Sequence, residues 1–355
     1  MIKIFRRWLD QIFVEEESII LLLLIATSLI ILITMGNMLA PAITSLILAF
    51  MMQGLIGQLT ARNVPHWVAV SIAFVVFVGT FLTALLIILP LAWNQMVNLF
   101  NELPGMLSQW QQLMFVLLEK YPSIFTEQQI QEWIVLARSE TAKVGQSVLS
   151  FSISSIPNVV GILIFIVLVP ILVFFFLKDR QLLLDWIASF LPKERPMLTK
   201  IWHEMNDQVA NYVRGKAIEI VIVGLVSYLA FIFLGLNYAA LMAVLVGLSV
   251  VIPFIGAAVI TIPIAMIGFF QWGWGSEFFS LMVVYVVIQA LDGNVLVPWL
   301  FSEAVNLHPV AIILAIVVFG GFWGLWGVFF AIPLATLIKA VINAWPTARR
   351  ASVAE

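Results

Sequence analysis

Long apolar runs alternate with short polar breaks along the chain, and the breaks predict where elements begin and end. Apolar residues fill 19–36, 39–60 and 67–93, so three spans are expected, the first two joined by a turn at Gly36 and Asn37 ahead of Pro41. Trp67 and Trp93 bracket the third, which suits the two membrane interfaces. Residues 94–150 are far more polar, and Leu99, Leu103, Met106, Trp110, Leu113 and Leu117 recur at three- to four-residue spacing. That pattern predicts an amphipathic helix outside the bilayer core, bent at Pro104 and Gly105. Tyr121 and Pro122 end it, and Thr126 to Gln129 reads as a capping box opening a second helix through Ile130, Ile134 and Ala137.

A fourth span is expected over 156–177, stopping at Lys178, Asp179 and Arg180. In the basic stretch that follows, Pro196 suits the first turn of a helix with Ile201, Met205, Val209 and Tyr212 on one stripe. Lys200, Glu204 and Asp207 fall largely on the other side, so this helix is expected at the membrane surface or under the bundle. Arg214, Lys216 and Glu219 then mark the expected entry to a fifth span over 217–235.

Two later stretches do not fit a simple span. Residues 239–270 carry no charge, and as a straight helix they would run about 48 Å against a core about 30 Å thick. Pro253, Gly256 and Pro263 are the expected break points. Residues 309–345 repeat the problem, interrupted by Gly324, Gly327 and Pro333. GAAVITIP at 256–263 and GVFFAIP at 327–333 share a glycine, an apolar run and Ile-Pro, a weak internal repeat differing by one residue in spacing. Gly/Pro-interrupted apolar segments in pairs point to a transporter's solute site; close helix packing is the plainer use of the same residues.

Between them, the span 278–300 carries one ionisable side chain, Asp292, with Gln289 before it and Asn294 after. An acid at bilayer depth costs about 2.5–3.5 kcal/mol on insertion scales, so it is expected to face a polar interior. Gln289 and Asp292, three apart, share a helical face. Gly293 and Pro298 are expected to interrupt the helix and free carbonyls that join Asp292 and Asn294 in binding a solute or ion. The alternative is a structural acid that caps a helix or pairs with a lysine.

Composition narrows the class. Of 355 residues, 63% are hydrophobic and 10% charged, where a soluble domain has about 25% charged, so the chain is read as an all-α polytopic membrane protein. A net charge of −2 with scattered basic residues gives nucleic acid no surface. Without cysteine, thiol catalysis and thiolate metal sites are excluded. His66, His203 and His308 form no metal-binding pattern and no phosphate-binding loop is present, so no cofactor, metal or enzymatic activity is expected.

Lys and Arg counts orient the chain. The amino terminus has Lys3, Arg6 and Arg7, residues 178–216 have seven basic residues, and the carboxyl end has Lys339, Arg349 and Arg350. Those sides are expected to be cytoplasmic. The expected organisation is a cytoplasmic amphipathic start (1–18), three spans (19–93), a periplasmic helical hairpin (94–150), a fourth span (151–177), a cytoplasmic helical region (178–216), a carboxyl-terminal bundle with broken helices (217–345) and a cytoplasmic tail (346–355). Counting each broken segment as one crossing gives eight spans.

Three stretches carry a resemblance: VLVGLSVVIPFIGAAVITIPI at 244–264, IQALDGNVLVPWLFSEAVNLHP at 288–309 and VVFGGFWGLWGVFFAIPLATLIKAV at 317–341. With Arg214 to Lys216 and the FFFLKD boundary at 174–179, the chain resembles the autoinducer-2 exporter family of membrane proteins, in its PerM-type branch. The resemblance implies a bacterial inner-membrane permease of about eight spans, a homo-oligomer with a pentamer among its expected states, and activities ranging from signal export to cation/proton antiport. Pro253, Gly256, Asp292, Asn294, Pro298, His308, Pro309, Gly324, Gly327 and Pro333 match its motifs, and none brings an established chemical role. The expected protein is a secondary transporter in contact with membrane lipid, with Asp292 carrying a coupling proton or cation and Gln289 and Asn294 as ligands. Rival readings are facilitated export of a small polar signal and a non-transporting scaffold.

Overall fold

The structure is a computed structural model that describes residues 16–120, 126–136, 138–139, 143, 158–253, 255–301 and 307–344. The expectations for the amphipathic start before residue 16, the break at Tyr121 and Pro122, and the tail 346–355 lie outside them. Every regular element among the described residues is helical. In order they are α1 (Glu16–Ala61), α2 (His66–Thr83), a π-helical turn π1 (Ala84–Ile88), α3 (Leu89–Lys120), α4 (Asn158–Lys178), α5 (Arg180–Ala188), α6 (Pro196–Phe233), α7 (Ala239–Ser249), α8 (Ile255–Trp272), α9 (Ser276–Leu291), a second π turn π2 (Asp292–Leu296), α10 (Val297–Phe301), α11 (Pro309–Phe329) and α12 (Ala331–Ala344). Residues 127–136 are also helical.

Six of the described helices are long and apolar enough to cross a membrane, within 38–61, 66–116, 161–178, 196–233, 255–272 and 276–301. Shorter apolar helices cover 19–32, 239–249, 309–324 and 331–343. The chain is therefore an all-α, multi-pass membrane protein. It divides into two compact units, one drawn from Met1–Val76, Val169–Glu219 and Val295–Glu355, the other from Phe77–Leu168 and Ile220–Asn294.

Several expected breaks are absent, each for a local reason. Gly36 and Asn37 lie inside α1, and Gly36 makes room for an indole: a Cβ there would stand 2.6 Å from Trp323 Nε1. The expected third span and polar helix form one continuous helical run. Pro90 should collide with the carbonyl four residues back, and π1 widens the ladder just ahead of it, the Leu89 N–H reaching Ala84 O. Pro104 and Gly105 lie within α3. The expected surface helix and fifth span are likewise one helix, α6, opened by Pro196 and passing through Gly215. A Cβ on Gly215 would lie 2.8 Å from the Phe301 ring, so this glycine seats an aromatic side chain rather than ending the helix.

In the first unit the predicted stripe of α6 is buried at Ile201 and Tyr212 and half-buried at Met205 and Val209. Ile201 packs with Leu21 and Met197, and Tyr212 and Val213 pack with Phe301 and Ile332. At the start of α6 the buried Glu17 carboxylate accepts from the Met197 N–H at 3.0 Å, where the helix dipole favours negative charge. In the second unit the predicted capping box is present: Thr126 N donates to Gln129 Oε1 at 3.2 Å and Gln129 N to Thr126 Oγ1 at 3.4 Å.

Both overlong apolar stretches fold as helical hairpins. α7 has 11 residues, about 16 Å, half a bilayer core. The chain turns after Ser249 in the stretch that holds Pro253, and α8 returns until Gln271 is back at the start: its Nε2 donates to Gly235 O at 2.7 Å and its Oε1 accepts from Asn237 N at 2.8 Å. Pro263, an expected break point, lies inside α8. In the other unit, α11 leaves helical geometry at Gly324 (φ 58°, ψ −135°) and packs against α12. Pro333 is accommodated in the first turn of α12 and is not an interruption.

Candidate functional site

Asp292 opens π2, and the helix runs on through Gly293 and Pro298, correcting the expectation that these residues interrupt it. The backbone ladder continues in π-helical form over Asp292–Leu296, with the Asp292 N–H donating to Ile288 O and Gln289 O. Asn294, exposed, donates its side-chain Nδ2 to Ala290 O at 2.8 Å, covering a carbonyl of this turn. Two residues from Asp292, it falls on a different face of the helix, so the structure does not bring the three predicted ligands together.

Asp292 and Gln289 do share a face, and it continues one turn further. Tyr285, Gln289 and Asp292 stand at i, i+4 and i+7 along α9 and into π2, a continuous polar line on an otherwise apolar helix. Asp292 Oδ1 and Gln289 Nε2 are closed off from solvent. Tyr285 is 1% exposed; its hydroxyl donates to Ala257 O at 3.0 Å, and Thr261 Oγ1 lies 3.5 Å from it. Thr261 Oγ1 also donates to Ala257 O at 2.8 Å. The line thus reaches the α7–α8 hairpin through hydroxyls and an amide. Sequence reasoning missed Tyr285 and Thr261, although the i, i+4, i+7 spacing was available.

The glycines singled out as hinges have a specific role. Gly256 sits in the first turn of α8, where a Cβ would overlap the Ser249 carbonyl at the end of α7. Gly327, at the bend of the other hairpin, is pressed in the same way against the Phe319 carbonyl. The weak repeat therefore has a partial structural counterpart: Gly256 lets α8 approach the end of α7, and Gly327, past the kink at Gly324, lets α11 press against its own earlier turn. Gly224 and Gly247 do the same for α6 and α7, a Cβ on Gly247 falling 2.9 Å from Ile220 O.

The other missed feature is charged. Lys216 and Glu219, expected at a membrane boundary, are 4% and 1% exposed, with Lys216 Nζ 2.8 Å from Glu219 Oε2 and 5.4 Å from the centre of the Phe301 ring. Tyr212, one turn earlier, stacks edgewise toward Phe329 and donates its hydroxyl to Phe329 O at 3.0 Å.

In the second unit, Gln95, Asn98, Asn101, Glu102, Asn237 and Tyr238 line an open cleft of about 400 Å³. Gln95 Oε1 caps α7 by accepting from Leu241 N at 2.8 Å. Burial, then the hydrogen bond and charge of Glu102, push the Tyr238 phenol well above its usual range, so it stays a donor. Among the described residues no cluster of three acids or histidines could hold a metal.

Comparison with known proteins gives a consistent picture. A family model described as AI-2E family transporter matches residues 19–347. The chain is 44% identical over 346 residues to PerM of Escherichia coli (strain K12), named as a permease, covering 98% of both chains. It is 28% identical over 295 residues to YueF of Bacillus subtilis (strain 168), named as a transport protein, covering 80% of this chain and 78% of the relative. A second transport protein by name from that organism, YrrI, is 23% identical over 309 residues, covering 85% of each.

Proposed function

Because the chain belongs to the AI-2E transporter family, we propose that it is a secondary permease of the bacterial inner membrane that moves a small polar solute or ion. Transport in this family is not an enzyme class, and nothing in the site assembles a nucleophile, a base and an oxyanion donor. The observation that carries the reading is the line Tyr285, Gln289 and Asp292 on a helix otherwise made for lipid, beside a hairpin with its own hydroxyl at Thr261. Polar groups at that depth are costly unless they are used. Asp292 is the coupling carboxylate, holding a proton or cation while Gln289 and Tyr285 hydrogen-bond the solute, and the two glycine-seated hairpins are the elements that move. Both termini are cytoplasmic, residues 94–150 face the periplasm, and the protein works as a homo-oligomer.

The test is flux against pH in liposomes containing purified protein. Asp292→Asn keeps size and hydrogen bonding but cannot ionise, so ion-coupled flux is lost while folding survives; Asp292→Glu keeps activity with a shifted pH optimum. If Asp292 were a structural acid the ranking would reverse, Asn being tolerated and the longer Glu harmed. Unchanged, pH-dependent flux in the Asn variant refutes coupling through Asp292, and pH-independent flux in the native chain favours facilitated export of a polar signal. Absence of flux for every solute tried would leave the scaffold reading.

A further inference from the structure

We propose that the Lys216–Glu219 pair on α6 is a proton site: the Glu219 carboxylate takes up a proton and the Lys216 ammonium is thereby released from its counter-ion. The balance is simple. A proton adds to a Glu219 oxygen, the Lys216 nitrogen keeps its three protons, the pair goes from net zero to +1, and loss of the same proton restores it.

The first ground is depth. The pair is followed by fourteen charge-free residues, Ile220 to Phe233, about 21 Å of helix, so in a core about 30 Å thick it lies up to about 9 Å from the nearer edge, with apolar helix beyond it. The second is its geometry. Both partners are on one helix, three residues apart, with side chains 5% and 2% exposed. Burying two charges costs several kcal/mol per ion, and their mutual attraction offsets this only in part. Protonating Glu219 removes one of the two buried charges, while the Phe301 ring beneath the ammonium stays as a favourable contact for the charge that remains. Both protonation states are therefore supported by the same surroundings, which is what a proton site requires. The third ground is the ligand set: no cluster of three acids or histidines occurs among the described residues, and one carboxylate suits a proton better than a metal ion needing several oxygens.

On α6, Tyr212 is engaged by Phe329 O, and Arg214 is held by Ala210 O at 3.0 Å and Asn211 Oδ1 at 2.7 Å. Beside the pair, the cluster of Tyr212, Val213, Phe301 and Ile332 is packed by Ile47, Phe50 and Met51 from α1, Val297 and Leu300 from α10 and Ile312 from α11. The ionisable residues of those elements and of the turn leading into α10 are Glu16 and Glu17 at the far start of α1, Lys339 on α12, and Asp292 at the head of π2. What the proton drives rests on the transport reading above; the site itself does not.

Infrared difference spectra of the full-length protein in lipid, between about pH 8 and about pH 5, test it directly and need no solute. The expected result is a protonated-carboxyl C=O band that appears on acidification and is missing in Glu219→Gln. Lys216→Met removes the counter-ion, so the midpoint of that band should move. No acid-induced band in the native protein, the same band in Glu219→Gln, or an unmoved midpoint in Lys216→Met overturns the proposal. Asp292→Asn is recorded in parallel; loss of the band there with retention in Glu219→Gln would assign the proton to Asp292 instead. Failed flux with an intact band would refute transport and leave the proton site standing.

Discussion

Gly256→Ala is the smallest change that tests how the hairpins are built. In an exposed helix interior Ala is favoured over Gly by about 1 kcal/mol, so propensity alone predicts a stabilised protein. At Gly256 the added methyl would overlap the Ser249 carbonyl, which is backbone and cannot rotate away as a side chain can. α8 must then separate from α7, and overpacking of this kind costs about 1–3 kcal/mol, so the two terms oppose and the steric one wins by up to about 2 kcal/mol. Gly79, within α2, is the control: a methyl added there would meet nothing within 4 Å, so Gly79→Ala feels only the propensity term and should not lose stability. Thermal unfolding of the two purified variants in one detergent, followed by size-exclusion recovery, reads the difference. If Gly256→Ala is as stable as Gly79→Ala, the close approach of α8 to the end of α7 is not what holds the hairpin.

Three further outcomes are expected. A Cys placed at Gln128 of this cysteine-free chain should be labelled by an impermeant thiol reagent from the periplasmic side, and labelling only from the cytoplasm would invert the topology. Tyr285→Phe removes the hydrogen bond to Ala257 O and should cost about 1 kcal/mol in unfolding measurements; a larger effect on flux than on stability would place the hydroxyl in the solute path. Glu17→Ala strips the carboxylate from the start of α6 and should destabilise by about 0.5–2 kcal/mol, while a neutral outcome would show that the cap contributes nothing.

Apolar runs located the long apolar helices because bilayer thickness fixes their length, and the stripe of Ile201 to Tyr212, buried at its ends and half-buried between, was legible from its helical period. What misled was punctuation. Gly36 reads as a turn, yet glycine also sits in helix interiors where a neighbour needs the space, and only the partner, Trp323, reveals which use applies. Lys216 and Glu219 read as the entry to a span, and that reading held no hint of their burial, which depends on Phe301, 82 positions after Glu219, and on a core no local pattern displays. Asp292 and Gln289 were found from composition within one span, while Tyr285 and Thr261 were passed over because hydroxyls are common in apolar helices and the hairpin that brings Thr261 to Tyr285 is a tertiary fact.

Pro90 and Pro298 show how a membrane helix keeps a residue that should break it. Each stands two positions beyond a five-residue π turn, Ala84–Ile88 and Asp292–Leu296. A proline lacks an N–H and crowds the carbonyl four residues back, and in lipid no water is present to satisfy what a break would expose. Widening the ladder one turn early relieves the crowding without opening the chain, and at Pro298 the Asn294 amide covers the Ala290 carbonyl besides. A π turn also inserts a residue, rotating everything after it by about 100° relative to what precedes it. The polar line of Tyr285, Gln289 and Asp292 consequently ends where the helix changes phase, and Asp292 is the last residue that the α-helical face can carry. Asn294 therefore belongs to the architecture of the turn and Asp292 to the face it terminates, a division that two residues of sequence separation alone would never have disclosed.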